Sequence, residues 1–519
     1  MANRRQFPIG EQDFANIRRD NLVYIDKTHL IYSIVHERGK YFFFRPRRFG
    51  KSLLLSTMRY YFEGRRELFE GLAIDSLEKK WKKRPVIYLD LSRGRTLDMA
   101  SLHSMISNNL SEYEKLYHVE PKEIDSYSTR LTNIIQSACK QTGEQVVVLI
   151  DEYDAPMLDT MSDIELKKKV RNQVRDLYSP LKAQSQYLWF VFLTGITKFS
   201  QLSIFSELNN LTDISMDRRF VEICGITEQE IHDNFDNEVG ELAEQYVITK
   251  EQCYARLKDM YDGYHFRPNS IGIYNPFSLL NCLDKQEFRS FWFESGTPTA
   301  LVETMQRNNY SLEHLTNEEV SSELMSSVDS DEVSPIPLIY QSGYLTIKGF
   351  DERFNTFKLG FPNKEVEEGF TKYLLSYYSP IKKSESSIAI GNFVREIENG
   401  QPESFMKRLE SLFADGNYQI IGDAEKYFHN AVYIIFKLLG FYVEVEHATT
   451  DGRIDLLLKT KNYIYILEFK INESAETALQ QIEDKQYAKP FENDGRTIFK
   501  IGVNFSTKTR RIDDWKIST

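Results

Sequence analysis

Cysteine is scarce, and no apolar run is long. The four cysteines, Cys139, Cys224, Cys253 and Cys282, lie far apart without a CxxC pair, so neither a structural zinc site nor a disulfide framework is expected. The most apolar stretches, such as Val146–Ile150 and Trp189–Leu193, fall well short of the roughly 20 residues that cross a bilayer, so no membrane partner is expected. Met1–Gly10 lacks the apolar stretch of an export signal, and a cytoplasmic protein is expected. Positive charge is not in excess: 76 acidic residues against 65 basic ones give a formal net charge of -11. That argues against coating nucleic acid through the overall field and leaves only a local basic groove for such a role. Internal repeats and low-complexity tracts are also lacking.

What is present is enough apolar surface for packed cores. Of the 519 residues 41% are hydrophobic and 13% aromatic, and the length suggests about three modules. From Tyr24 to Thr197 short apolar runs alternate with longer amphipathic ones, the pattern of an α/β fold with a parallel sheet and helices on both faces. The expected strands are Tyr41–Phe44, Val86–Leu89, Val146–Ile150 and Leu188–Leu193, each nearly all apolar as central strands are. Between Thr227 and Asn309 the pattern turns helical and aromatic, punctuated by Asp262-Gly263-Tyr264 and Asn275-Pro276-Phe277. Asn317–Pro335 reads as an acidic exposed loop, and Gly343–Ile347 with Phe354–Leu359 as a hairpin. A last unit follows Asp423: a helix (Ala424–Leu439), strands Tyr442–Glu446, Ile454–Leu458 and Tyr463–Phe469, a helix (Ala475–Tyr487) and a strand (Thr497–Val503). The expected modules are 1–225, 226–390 and 391–519.

Chemistry concentrates at two places. Arg45-Pro46-Arg47-Arg48-Phe49-Gly50-Lys51-Ser52 follows a strand and opens a helix, as a P-loop does when backbone N–H groups and a helix N-terminus cradle phosphate. Lys51 would reach the β/γ-phosphates of ATP and Ser52 would hold Mg²⁺. The first position of the usual pattern is glycine, and Arg45 stands there, which restricts the loop. The partner is Val146–Ile150 ending in Asp151-Glu152, with Asp151 on the metal and Glu152 polarising water. A core strand closing on an acidic helix cap is the plainer alternative. Thr194, at the tip of a third strand, is either a sensor between the two sites or part of a turn. Arg218 and Arg219 are either an arginine finger or a solvated pair. The expected nucleotide contacts are therefore Arg45, Arg47, Arg48, Phe49, Gly50, Lys51, Ser52, Asp151 and Thr194, with Glu152 catalytic.

The second place is C-terminal. Asp455 begins one strand and Glu468-Phe469-Lys470 ends the next, so alternation sets Glu468 and Lys470 on one face. Two carboxylates beside a lysine suit a Mg²⁺ site for phosphodiester chemistry, although an acid-x-Lys at a strand end is most often a surface ion pair. Glu425 on the preceding helix and Gln481 and Tyr487 on the following one complete the ensemble. His429 and His447 are expected to be structural.

Pro8-Ile9-Gly10, Tyr24-Ile25-Asp26-Lys27-Thr28, Arg45–Ser52, Asp151-Glu152-Tyr153-Asp154 and Tyr261-Asp262-Gly263-Tyr264 resemble the AAA-ATPase-like family of bacterial proteins. That family habitually carries Arg-Pro-Arg-Arg-Phe-Gly-Lys-Ser/Thr. The C-terminal order of elements is similar to the core of the PD-(D/E)xK nuclease superfamily, a restriction-endonuclease-like α/β domain. The resemblance implies Asp455 and Glu468 as metal ligands, Lys470 as catalytic lysine, Glu425 as accessory acid and Gln481 as a positioner, with Glu446 a further acidic contributor. Asp26 and Lys27 either border the nucleotide or form a structural ion pair. The middle region is expected to be a helical lid with a winged-helix-like unit, or a spacer; Gly343-Tyr344-Leu345-Thr346 and Phe361–Val366 are further signatures without a derived role. The expected protein is an ATP-dependent switch joined to a metal-dependent nuclease-like module, with nucleic acid and further copies of the chain as partners. The rivals are a nucleotide-regulated interaction protein that does not cut, and a scaffold that binds ATP without hydrolysis.

Overall fold

Four apolar strands separated by long amphipathic stretches cannot pair as hairpins and must cross over through helices. The computed structural model shows this arrangement. It describes residues 5–199, 211–295, 299–308, 310–316, 319–325, 334–379, 381–382, 384–414, 424–447 and 456–519. They fall into two compact units, Met1–Ala300 with Asn317–Glu365, and Leu301–Thr316 with Val366–Thr519.

In the first unit β1 (Gly39–Phe44), β2 (Val86–Asp90), β3 (Val146–Asp151), β4 (Leu188–Gly195) and β5 (Thr212–Asp213) form one parallel sheet in the order β2-β3-β4-β1-β5. Every residue of β3 is buried, which is why its sequence is unbroken Val/Leu/Ile before Asp151. The helices Met99–Leu116, Tyr127–Thr142 and Ile164–Tyr178 each start on a side-chain cap, from Asp98, Ser126 and Asp163. Each such cap contributes about 1 kcal/mol. The helix that follows β1, Lys51–Phe62, has Gly50 at its cap position and no side-chain cap.

The helical part of this unit is punctuated where expected. Glu228–Tyr246 and Lys250–Tyr261 open on capping boxes at Thr227 and Thr249, and Pro276–Lys285 opens on Asn275 with proline in its first turn. Ile231, Phe235, Leu257, Tyr261 and Leu279 share one core. The hairpin is β7 (Thr346–Asp351) with β8 (Thr356–Gly360). One expectation is corrected: within the acidic stretch 317–335, Glu319–Ser321 is a strand, β6, paired with β8 and burying Val320. A single apolar residue among acids was too weak a signal to show it.

The second unit contains the helices Ser386–Glu398, Pro402–Ala414 and Ala424–Leu439 and a mixed sheet. The sheet is built from β9 (Glu444–His447), β10 (Leu456–Lys459), β11 (Tyr463–Ile471), β12 (Thr497–Ser506) and β13 (Arg511–Ser518), in the order β13-β12-β11-β10-β9. The helix Ala475–Asp484 joins β11 to β12, which run parallel, and the other pairs are antiparallel. The expected order of elements is present, with β13 added at the edge. Its charged Asp513, Asp514 and Lys516 obscure the alternation and suit an edge strand. Among the described residues no helix is long and apolar enough to cross a membrane.

Candidate functional site

The C-terminal tips of β1, β3 and β4 build the first site. Arg45 N–H extends the ladder by donating to the Gly195 carbonyl at 3.3 Å. Between Arg45 and Ser52 positive φ occurs only at Arg48 (68°) and Gly50 (91°), so glycine is demanded at position 50 and not at position 45. A Cβ on Gly50 would meet no atom within 4 Å; the backbone conformation, and not crowding, selects it. The uncapped first turn after Gly50 leaves its N–H groups for an anion.

Lys51 is buried; its Nζ donates to the Pro46 carbonyl at 3.3 Å and pairs with Glu152 Oε1 at 3.3 Å. The Ser52 side chain lies beside the Asp151 carboxylate, which accepts from the Tyr88 hydroxyl at 3.1 Å. Burial, then the charge of Glu152, push the Asp151 carboxyl up to about 6, against Ser52 and Lys51, which pull it down. Glu152 lies in the left-handed region (φ 48°), and its N–H donates to Asp151 Oδ1 at 3.0 Å. Because β4 runs between β1 and β3, Thr194 sits opposite Phe43 in the register. It is fully buried, and its hydroxyl has no hydrogen-bond partner within the described protein.

Sequence reasoning gave no role to Asp154, which braces this tip. It is fully buried and accepts from Thr197 N and Thr197 Oγ1, each at 2.6 Å, and from Ile196 N at 3.1 Å. Burial and the neighbouring Glu152 raise its pKa. A Cβ on Gly195 would lie 2.2 Å from Asp154 Oδ1, so the Thr-Gly-Ile-Thr turn needs its glycine. Tyr88 was also missed; its partner is on a neighbouring strand, and no local pattern marks such a contact.

The remaining expected contacts divide into inward and outward sets. Arg45 is buried, its guanidinium lying 4.4 Å from the Phe43 ring centroid and 3.9 Å from that of Phe266. It donates to the carbonyls of Ser215 at 2.7 Å and Phe44 at 2.9 Å, and burial pushes its pKa down to about 10. Phe49 is buried edge-on against Tyr264 and Phe266, with centroids 4.8 and 5.3 Å away. Arg47 and Arg48 are exposed, Arg48 lying 4.8 Å from the Phe277 centroid. Two residues from later in the chain meet the loop here. The Trp292 indole donates to the Arg47 carbonyl at 3.3 Å, and a Cβ on Gly343 would lie 2.5 Å from Pro46 Cβ. Asp26 and Lys27 do not pair with each other: Asp26 accepts from Thr28 and Ala73, and Lys27 pairs with Glu230. Arg219 is exposed and pairs with Asp217.

The second site lies on β11. Glu468 is buried, and Lys470, two residues on, shares its face. Lys470 Nζ is 3.5 Å from Glu468 Oε1 and 2.7 Å from Gln481 Oε1, while Gln481 Nε2 donates to Glu468. Gln481 reaches the strand because Glu468 pairs with Gly502 of β12. A Cβ on Gly502 would lie 2.2 Å from the Ala475 carbonyl, so glycine lets the helix Ala475–Asp484 close on the sheet. Asp455 lies outside the described residues. It precedes Leu456, whose ladder partner Leu467 precedes Glu468. Glu425 and Glu446 lie on the helix Ala424–Leu439 and on β9; their side chains, and that of His447, lie outside what is described. His429 is exposed. Among the described residues no group of three or more His, Cys, Asp or Glu is placed to hold a metal ion.

These observations define a P-loop type α/β unit and a separate mixed-sheet unit with a Glu-x-Lys face. Comparison with known proteins agrees. A family model for predicted AAA-ATPase, AAA-ATPase-like, matches residues 8–205, and one for the PD-(D/E)XK nuclease superfamily matches residues 423–515. A protein of Azotobacter chroococcum mcd 1, "Uncharacterized protein in vnfD 5'region", is 34% identical over 525 residues, covering 98% of each chain. The chain belongs to the AAA-ATPase-like family and carries a PD-(D/E)XK nuclease superfamily domain at its C-terminal end. Two solved structures are similar at 11% identity: Cdc6p from Pyrobaculum aerophilum, covering 72% of this chain and 96% of that one, and Aeropyrum pernix ORC1 in complex with DNA, covering 67% and 93%. Their TM-scores, 0.23 and 0.24, carry no structural conclusion.

Proposed function

We propose that the chain binds and hydrolyses ATP at the phosphate loop, and that its C-terminal module hydrolyses phosphodiester bonds of nucleic acid with a divalent metal. The observation that carries the reading is the join between the phosphate loop and the tip of β3: Lys51 paired with Glu152 at 3.3 Å, with Ser52 beside Asp151. Isolated motifs need not meet; these do. The buried Asp151 carboxylate, the orphaned Thr194 hydroxyl and the uncapped helix after Gly50 all fit a phosphate chain with its cation.

On this reading Lys51 turns from Glu152 to the β/γ-phosphates, which releases Glu152 to hold and polarise the attacking water. Backbone N–H groups from Gly50 onward cradle phosphate oxygens. Ser52 and Asp151 are the residues to hold Mg²⁺, which supplies neutralisation of phosphate charge when bound. In the C-terminal module Asp455 and Glu468 are the metal ligands, Glu425 an accessory acid, and Lys470, oriented by Gln481, faces the phosphodiester. Residues 1–225 form the switch, 226–390 the connecting region and 391–519 the nuclease module of a cytoplasmic protein.

The test incubates the full chain with DNA and RNA substrates, with Mg²⁺ or Mn²⁺, and with ATP present or absent. Cleavage that chelator abolishes and Lys470→Ala loses, with much of the nucleic-acid binding retained, is the expected result. Binding without cleavage in every metal would favour the non-cutting interaction protein instead.

A further inference from the structure

The aromatic residues around the phosphate loop take no part in the proposed chemistry, yet they touch four of its residues. Phe266 and Phe43 both lie against the Arg45 guanidinium, with centroids 3.9 and 4.4 Å away. Tyr264 and Phe266 meet Phe49 edge-on. Trp292 holds the Arg47 carbonyl, and Gly343 lies against Pro46 so closely that a methyl group there would overlap it. Gly225 makes a similar approach, with a Cβ 3.3 Å from Phe49 Cδ1.

We propose that this collar is a clamp, with Phe266 and Arg45 as positioning residues that hold the phosphate loop in its anion-cradling shape. Nucleotide occupancy and the order of segment 261–293 are thereby linked; the linkage rests on the ATP reading above. Three features of the loop require such a clamp. Arg48 adopts positive φ without being glycine, a conformation that persists only where its surroundings over-determine it. Arg45 occupies the usual glycine position with its side chain turned into the core, and Phe49 does the same four residues later. A guanidinium packed against two rings and bonded to carbonyls is fixed far more tightly than a glycine would be. The loop therefore alternates two anchors inward with Arg47 and Arg48 outward. Binding linkage is reciprocal: if the clamp favours the nucleotide-binding shape, nucleotide must favour the clamped state of Tyr264 and Phe266.

The test compares wild type, Phe266→Leu, Phe266→Tyr and Gly343→Ala, with Lys51→Ala as the control for the phosphate site. Phe266→Leu keeps the core filled and removes the ring face. Hydrogen exchange without nucleotide reads the clamp itself: the amides of Arg45 and Leu54, which donate to the Gly195 and Gly50 carbonyls, should exchange faster in Phe266→Leu and Gly343→Ala, and Phe266→Tyr should keep them as in wild type. Calorimetry with Mg-ATP reads the linkage, with Kd expected to rise about tenfold in the two clamp variants, within the roughly 5–150-fold of site coupling. In wild type Mg-ATP should slow exchange at Tyr264 and Ile273, whose N–H groups bond each other's carbonyls. Unchanged exchange at Arg45 and Leu54 in both clamp variants would overturn the clamp. Faster exchange with unchanged Kd would overturn the linkage alone. A wild type that binds no Mg-ATP would sink the nucleotide reading and leave the exchange result to decide the clamp.

Discussion

Asp151 is held on a fully buried strand, and burial, with the charge of Glu152 beside it, raises its pKa to about 6. The native state therefore keeps its proton to higher pH than the unfolded chain, whose aspartates titrate near about 3.9. The sign follows: the cost to stability is absent below about pH 4, grows as pH rises, and is complete above about pH 6. Asp151→Asn should accordingly raise stability at pH 7 by about 1–3 kcal/mol, with the gain vanishing near about pH 4, in urea titrations at several pH values. The same substitution should abolish Mg²⁺-dependent ATP binding. Equal midpoints for both proteins at pH 7 would mean that the carboxylate is not strained by burial. At this scale Lys51, Ser52, Asp151 and Glu152 were legible because their spacing along the chain carries their chemistry. The anchoring of Arg45, Tyr88 on Asp151 and the brace by Asp154 were not, because each depends on a neighbour brought in from elsewhere in the chain.

Glycines where elements nearly touch set the geometry of both sites. Gly502→Ala would place a methyl group against the Ala475 carbonyl and the Leu479 amide. It should lift the helix Ala475–Asp484 from β12 and cost about 1–3 kcal/mol. Gln481 would then lose Glu468, so any cleavage should fall while Mg-ATP affinity stays as in wild type. Gly195→Ala should do the reverse, driving Asp154 from the Thr194–Thr197 turn and weakening ATP binding without affecting nucleic-acid binding. Paired binding titrations on the two variants check both outcomes; a Gly502→Ala protein that loses ATP binding would contradict the separation. The central strands were readable because burial on both faces leaves unbroken apolar runs. β6 and β13 were not, since a short or edge strand keeps charges that break the pattern. The glycine contacts themselves lie beyond any local reading.

Across the molecule two compact units should answer nucleotide differently. Ligand binding to the native state stabilises by about 2.7 kcal/mol at a hundredfold excess over Kd, so Mg-ATP should raise the melting transition of the P-loop unit and leave that of the nuclease unit in place. A single transition shifted as a whole would show that the units unfold together. With a charge of -11, the nucleic-acid binding proposed above would have to rest on local basic contacts, and it should weaken steeply with added salt. The central claim is that the loop Arg45–Ser52 binds nucleotide through Lys51. Calorimetric titration of Mg-ATP into wild type and Lys51→Ala tests it most directly: wild type should saturate at one site per chain, and Lys51→Ala should bind far more weakly with its fold unchanged by circular dichroism. Equal affinity in the two proteins would contradict it.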